Sequence, residues 1–491
     1  MKTRLLYFIA ISFLVISCAE DDLNHEAKSL VTEKQLLELA ESSPEAALTI
    51  NLGVEDGQYS YMREYNTASF TDGRHDDFGQ KAIDLGVDLL SNDMVSVIDS
   101  WFGNYYAYRG RTQDFSTTYV IWNFYYAVIM NVNSIIGKIA EDVTDDNLKH
   151  LRARAMAIRA YSYFNLIRFY QHTYSKNPSA PGVPLYAPEQ GIDNKSRGTV
   201  QEVYDLILSD LDYAFKNIDG YNRPSKEKLN KNIIAGIYAR VLLETKTDDA
   251  LCAQMANVAR TGFSLMSATE WVNGGFDDIS NSEWMWGADI NAESSTIYAS
   301  FFAHIGTLNP GYTGILGFHK TIDARLYNAI PSTDSRKQAF GDANDPVIPY
   351  ANYKFYDATF FLGDYVYMRA AEMYLTEAEA LARSGNDAGA ASVLYDLIST
   401  RDSSYTLSTK TGSALMNEIL LHRRIELWGE GFAWFDMKRN GVALERDYTG
   451  SNHAAYGKKN FNSDAKEMLF QIPERELDNN TEINDVDQNP I

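Results

Sequence analysis

The feature that most constrains this chain is a pattern of small and apolar residues on paired helical faces. In "RAAEMYLTEAEALARSGNDAGAASVLYDLISTRD", Ala370, Tyr374, Ala378 and Leu381 lie on one face. "SGND" then turns the chain, with Asn386 or Asp387 as a cap, and Val393, Leu394 and Leu397 continue on the next helix. The same design occurs earlier. A helix from about Lys228 to Thr245 presents Ile233, Ile237 and Val241; "KTDD" turns the chain, and Leu251, Met255 and Val258 begin the next face. Alanines where two axes must approach, joined by short turns, predict stacked helical hairpins.

Other segments extend the pattern. "TYVIWNFYYAVIMNVNSIIGKIA" is apolar almost all round, which predicts a well-buried helix. A helix from about Asp146 to Tyr170 carries Met156, Ala160, Tyr163, Ile167 and Tyr170 on one stripe, decorated by Arg152, Arg154, Arg159 and Arg168. The four prolines of "NPSAPGVPLYAPEQG" stop helical structure, and Thr199 and Glu202 then have capping-box spacing ahead of the face Val203, Ile207, Leu211, Ala214 and Ile218. A last helix from about Ser413 to Trp428 ends at Gly429 and Gly431. Stacked hairpins of this kind resemble tetratricopeptide repeats. The expected fold is mainly α, with a helical-repeat scaffold at about 115–262 and 365–440.

Two regions interrupt it. Residues 51–114 crowd glycines and aromatics around one embedded helix (about Phe78 to Leu90), following a first helix expected at Thr32 to Ala47; residues 262–364 read as loops and short strands. Loops on a rigid frame are where binding residues concentrate, so a site is expected in these two regions.

The N-terminus reads as an export signal. Met1 to Arg4 is basic, and Leu5 to Ile16 is apolar apart from Ser12, too short for a bilayer span of roughly 20 residues. Val15-Ile16-Ser17-Cys18 resembles a bacterial lipobox, in which the cysteine is acylated and becomes the first mature residue. Residues 1–17 are thus expected to be a lipoprotein signal peptide and 18–491 a single tethered domain. Two or more acyl chains on Cys18 would make a stable anchor where one is marginal. The acidic Ala19-Glu20-Asp21-Asp22 then reads as a leash. If Cys18 carries lipid, Cys252 is unpaired, and "DDALCAQMANVAR" places it on a helix as a small apolar residue.

Charge narrows the function. Removing Lys2 and Arg4 from the 44 basic residues leaves 42 against 66 acidic ones, a net charge of −24. That field repels phosphate backbones, so nucleic acid is not an expected partner. No H-E-x-x-H, G-x-S-x-G or G-x-x-x-x-G-K-[ST] is present, and the eight histidines are scattered. Asp76-Asp77 and Asp277-Asp278 could hold calcium or act as a glycosidase pair, but read better as solvated surface; Asp342-Ala343-Asn344-Asp345 reads better as a turn. No enzyme and no cofactor are expected, with calcium left open.

Five stretches in order, "RARAMAIRAYSYFNLIRFYQ" with "GVPLY", "YMRAAEMYLTEAEALARSG", "LLHRRIELWGEGFAWFDMKRNG", "FQIPERELDNNTEIN" and "DQNPI", resemble the SusD/RagB family of Bacteroidetes outer-membrane lipoproteins. The resemblance implies four helical hairpins of tetratricopeptide type forming a superhelical scaffold and an irregular ligand-binding region. It also implies an outer-membrane, surface-exposed location, and a role as hinged lid over a SusC-like TonB-dependent transporter that imports oligomeric nutrients. Trp101 and Asn104, in W-x-x-N spacing, resemble the ring-plus-amide pair of starch-binding members, with Tyr105 adjacent; Asp72 and Arg74 could add polar contacts, and Trp284, Trp286 or Tyr312 a facing platform. The expected ligand is an oligosaccharide. An oligopeptide is the alternative, and a lipid-anchored glycosidase a third reading.

Overall fold

The computed structural model describes residues 43–188 and 193–491; Cys18, the acidic leash and most of the expected helix at Thr32 to Ala47 lie outside them. The chain divides at Gly53: before it, the described residues are the first turns of helix α1 (Pro44–Tyr61), and the unit Val54–Ile491 carries all the other elements. Reading 51 onward as loop was wrong for α1, which continues to Tyr61 through Gly53 and Gly57, residues of poor helix propensity.

The longer helices that follow are α2 (Gln80–Leu89), α3 (Ser116–Ile136), α4 (Asp146–Tyr170), α5 (Val200–Asn217), α6 (Lys231–Thr245), α7 (Asp249–Arg260), α8 (Ala370–Arg383), α9 (Asp387–Ile398) and α10 (Gly412–Glu426). Their starts are written in the sequence. The side chains of Asp145, Thr199, Asn230, Asp248 and Asn386 each accept from a backbone N–H of the first turn, and Thr199 with Glu202 completes a capping box. From α3 to α7 each helix packs on the next. Helix α8 then packs on α7 across the intervening insert, so the hairpin stack resumes where it stopped, with α9 and α10 beyond it. Ala371, Ala378, Ala390 and Ala391 let these last helices close around Leu375, Leu394, Leu397, Leu415 and Ile419, all buried. Each such leucine contributes roughly 1.5–3 kcal/mol.

Helix α4 differs from its sequence reading. It is buried on all sides from Leu151 to Ile167, and three of its arginines do not decorate a wet face. Arg154 pairs with Glu55 at 2.6 Å, Arg159 with Asp210 at 2.7 Å, and Arg152 donates to the carbonyls of Ile136 and Ile139 at 2.5 Å. These pairs tie α4 to α1, α5 and the end of α3.

Among the described residues, strands occur as two-stranded antiparallel pairs. Met94–Ser96 pairs with Lys320–Ile322, and Trp284–Ala288 pairs with Tyr365–Arg369, which leads directly into α8. A buried ionic cluster holds the same junction. Arg336, Arg369, Arg401 and Lys354 meet Asp334, Glu283, Glu426 and Glu430, four cations against four carboxylates. Residues from the insert (Glu283, Asp334, Arg336, Lys354) are thereby bonded to the scaffold. Gly429 belongs to this junction: its φ is +80°, and a Cβ there would lie 2.3 Å from the Phe355 ring. Among the described residues no helix is long and apolar enough to cross a membrane.

Candidate binding site

Three loop segments on this frame converge on one aromatic corner. The first is the loop between α1 and α2. Its base is closed by Asp77, whose carboxylate accepts from Thr67 Oγ1 at 2.7 Å and Ala68 N at 3.0 Å. Its tip is a turn in which Gly73 N donates to the Phe70 carbonyl at 3.0 Å. Gly73 has φ +65°, and a Cβ would fall 2.0 Å from the Tyr65 hydroxyl, so a side chain there would be strained and would displace the Tyr65 ring. The turn displays Asp72 in solvent and directs Arg74 and His75 toward the second segment, residues 97–106.

There Trp101 is partly exposed, and its indole is stacked on the His75 ring, with centroids 5.5 Å apart and planes 18° apart. Tyr65 and Tyr312 meet His75 edge-on at 5.8 and 5.7 Å. Tyr312, from the third segment (residues 306–319), shares a 2.6 Å hydrogen bond with His75 Nδ1, which the hydroxyl donates when that nitrogen is unprotonated. The His75 carbonyl accepts from Nε2 of His304 at 2.8 Å. Burial holds His304 neutral by driving its pKa well below the ordinary histidine value. His75 is thus fixed by its ring nitrogen and by its backbone.

The Arg74 guanidinium lies 5.7 Å from the Trp101 ring and pairs with Asp76 at 2.7 Å. Burial raises the Asp76 pKa, an effect opposed by Arg74. Arg74 Nε and Asp76 Oδ1 are buried without a hydrogen-bond partner. Such orphans are costly and mark a place where a water or ligand group completes the bonding. Asn104 stands on the helical turn Gly103–Tyr106, its Oδ1 accepting from Arg109 Nε at 3.3 Å, while Arg109 is held by Asp99 through bonds of 2.7 and 2.9 Å.

The structure brings Arg74, Trp101 and Tyr312 together, with Asn104 one turn beyond and Asp72 exposed on the neighbouring turn. Three sequence expectations are corrected. Trp284 and Trp286 lie in a strand buried along its whole length. Their indole N–H groups are spent on the carbonyls of Gly275 and Glu227, both at 2.9 Å, so neither ring can face a ligand. Tyr105 is also core: it packs directly over Gly86 of α2, where a Cβ would meet its ring at 2.5 Å. Tyr312 keeps its place but not as a bare platform. Near-parallel rings of His304 at 4.4 Å and Phe318 at 6.0 Å already stack on it, leaving chiefly its edge and hydroxyl.

The sequence reading missed His75 and Phe70. The signal for His75 was its position beside Arg74 within the glycine-rich turn; nothing in the spacing pairs it with a tryptophan 26 positions on. Asp76 and Asp77 are not solvated surface but buried and partnered, whereas Asp342 and Asp345 do cap a turn. Among the described residues no three His, Cys, Asp or Glu are placed to hold a metal ion. A cleft of about 490 Å³ elsewhere has Asp93 and Arg424 in its lining, already paired with each other at 2.5 Å.

A model described as the SusD family matches residues 350–491, and one described as starch-binding associating with outer membrane matches residues 83–243. Over these two ranges the chain is similar to the SusD family. A SusD-like protein of Formosa agariphila is 23% identical, over 89% of this chain and 91% of that protein. The fold is shared with a SusD-like carbohydrate-binding protein of Bacteroides vulgatus (TM-score 0.78, 24% identity, 90% of this chain and 98% of that one). It is shared also with surface glycan-binding protein A of Bacteroides fluxus (TM-score 0.68, 17% identity, 91% and 99%). Within the SusD fold, the stretches that carry the family resemblance build the frame: Arg369, Glu426 and Glu430 of the ionic cluster come from two of them. Arg74, His75 and Tyr312 lie outside both matched ranges.

Proposed function

We propose that this chain is a SusD-family surface lipoprotein that captures an oligosaccharide at the Trp101 corner and passes it intact to a SusC-like TonB-dependent transporter, over which it acts as a lid. The observation that carries the reading is a partly exposed tryptophan held from behind by His75, with a guanidinium alongside and an amide one turn on. A sugar ring stacks its C–H face on such an indole, while Asn104, Arg74 and Asp72 supply directional bonds to hydroxyls. The starch-binding description of the family model that includes Trp101 and Asn104 supports it, as do the carbohydrate-binding and glycan-binding titles of the structural relatives. In this reading residues 18–491 work as one unit anchored through lipid on Cys18, the loop regions 51–114 and 262–364 form the binding surface, and the ligand is not cut.

The test is a glycan array, with peptides as competitors, followed by calorimetry on the form lacking residues 1–18. Trp101→Ala should weaken retention of the bound glycan about tenfold or more, the scale of losing one stacked ring and the bonds it orients, with Tm unchanged. Undiminished binding by the variant, or release of reducing sugar by the wild type, overturns the proposal. Co-purification of an outer-membrane transporter from cells tests the partnership.

A further inference from the structure

A run of rings leads away from the Trp101 corner. The Arg74 guanidinium lies 5.8 Å from the Phe70 ring as well as 5.7 Å from Trp101, so it spans the two. Phe70 meets Tyr119 edge-on at 5.9 Å, and the exposed Arg475 guanidinium sits 5.5 Å from Phe70 and 4.3 Å from Tyr119. Tyr119 is also the first wall of an open groove of about 410 Å³, lined further by Trp122, Tyr126, Tyr186 and Asn479. Its rings are rigidly set. Trp122 and Tyr126 lie 4.8 Å apart, Tyr126 meets Tyr186 edge-on at 5.7 Å, and the Tyr126 hydroxyl donates to the Pro184 carbonyl at 2.9 Å. Trp122 Nε1 donates to Glu476 at 3.2 Å, which ties the wall to the C-terminal segment.

The groove therefore repeats the chemistry of the corner: the partly exposed rings of Tyr119, Tyr126 and Tyr186, backed by the buried Trp122, are edged by a guanidinium and an amide. We propose that it is a second sugar subsite, continuous with the Trp101 corner through Arg74 and Phe70, so that one extended oligosaccharide occupies both. The inference rests on the glycan reading above and adds to it the length of the ligand: the surface selects long chains over their short fragments.

Affinity of the full chain in detergent would be measured for maltooligosaccharides, β-1,3-glucan oligomers and xylan oligomers of graded length. Affinity should rise with length until the second subsite is filled and then level off. Tyr126→Ala and Asn479→Ala should leave the shortest bound oligomers unaffected while weakening the longest by roughly three- to tenfold, whereas Trp101→Ala weakens every length. Arg475→Ala, which alters only an exposed side chain, carries the same test should Tyr126→Ala lower Tm. Length-independent affinity, or groove variants that lose short and long oligomers equally, overturns this inference and leaves the corner intact. Absence of binding at every length overturns both.

Discussion

Trp101 owes its availability to what surrounds the other tryptophans. Trp271, Trp284, Trp286, Trp428 and Trp434 are fully buried, and Trp122 nearly so, each with its indole N–H bonded to a protein acceptor. A buried ring is spent on stability; one held on a single face by an imidazole keeps area for a ligand. The same reasoning makes Cys252 inert. Its Sγ donates to the Ala239 carbonyl at 3.4 Å, and burial pushes its pKa up to about 12. Thiolate is the reactive form, so the folded form lacking residues 1–18 should not react with a chromogenic disulfide at neutral pH and should release one equivalent of thiolate when unfolded. Reaction of the native protein would mean that α6 and α7 separate in solution.

At the scale of elements, the decisive structure is the ionic cluster that locks the insert to α8 and α10. Glu426 accepts from Arg336, Arg369, Arg401 and the Trp271 indole. Those guanidiniums hold its carboxyl well below the usual range although burial opposes them. Glu426→Ala leaves three buried arginines short of a counter-ion. The expected cost is about 3–5 kcal/mol, read as a lower midpoint in urea, because breaking one member of a buried pair strands the others. Glu426→Gln should be milder yet still destabilising, and a midpoint equal to wild type would show that water already enters the cluster. None of this was legible from sequence. "LLHRRIELWGEG" advertises charges on a helix, which ordinarily mark a solvated face, and the same assumption misplaced Arg152, Arg154 and Arg159. Helix bounds were far more legible: Asp146 to Tyr170 is read to the residue because Asp145 caps it locally. Caps and hairpin turns are written within a few residues. Burial of a charge depends on a partner such as Glu283, more than a hundred positions from Arg401. The corner divides the same way, since W-x-x-N is local and the His75 that backs Trp101 is not.

For the whole molecule, these buried groups set a direction with pH. Burial, reinforced by the nearby Arg336, lowers the His422 pKa from 6.5 to about 3, and burial lowers that of His172 to about 4. Burial also drives His304 well below the ordinary histidine value. A histidine whose folded pKa is depressed is neutral in the native state while its unfolded counterpart takes up a proton, so the unfolded chain binds more protons as acid is added. Its stabilisation is complete above pH 6.5 and is lost as pH falls from there toward the folded value. Carboxylates divide: burial raises Asp88 to about 7 and Asp84, Asp277 and Asp364 to about 6, so these take up protons first in the folded state and oppose the histidines, whereas those held by arginines act in the histidines' sense at lower pH. Glu379, Glu426 and Asp436 are all lowered by adjacent arginines, so their contribution disappears once protons compete for them. The lowered histidines contribute a fall in Tm below about pH 6.5 and the lowered carboxylates a further fall at more acid pH, against which the raised aspartates act. His422→Gln keeps a polar side chain that can still accept from Arg336 and removes one titrating group, so its decline should be shallower than wild type across the upper part of that window. An unaltered slope in the variant would mean that His422 is protonated in the folded protein and that the Arg336 side of the cluster is wetter than its burial indicates.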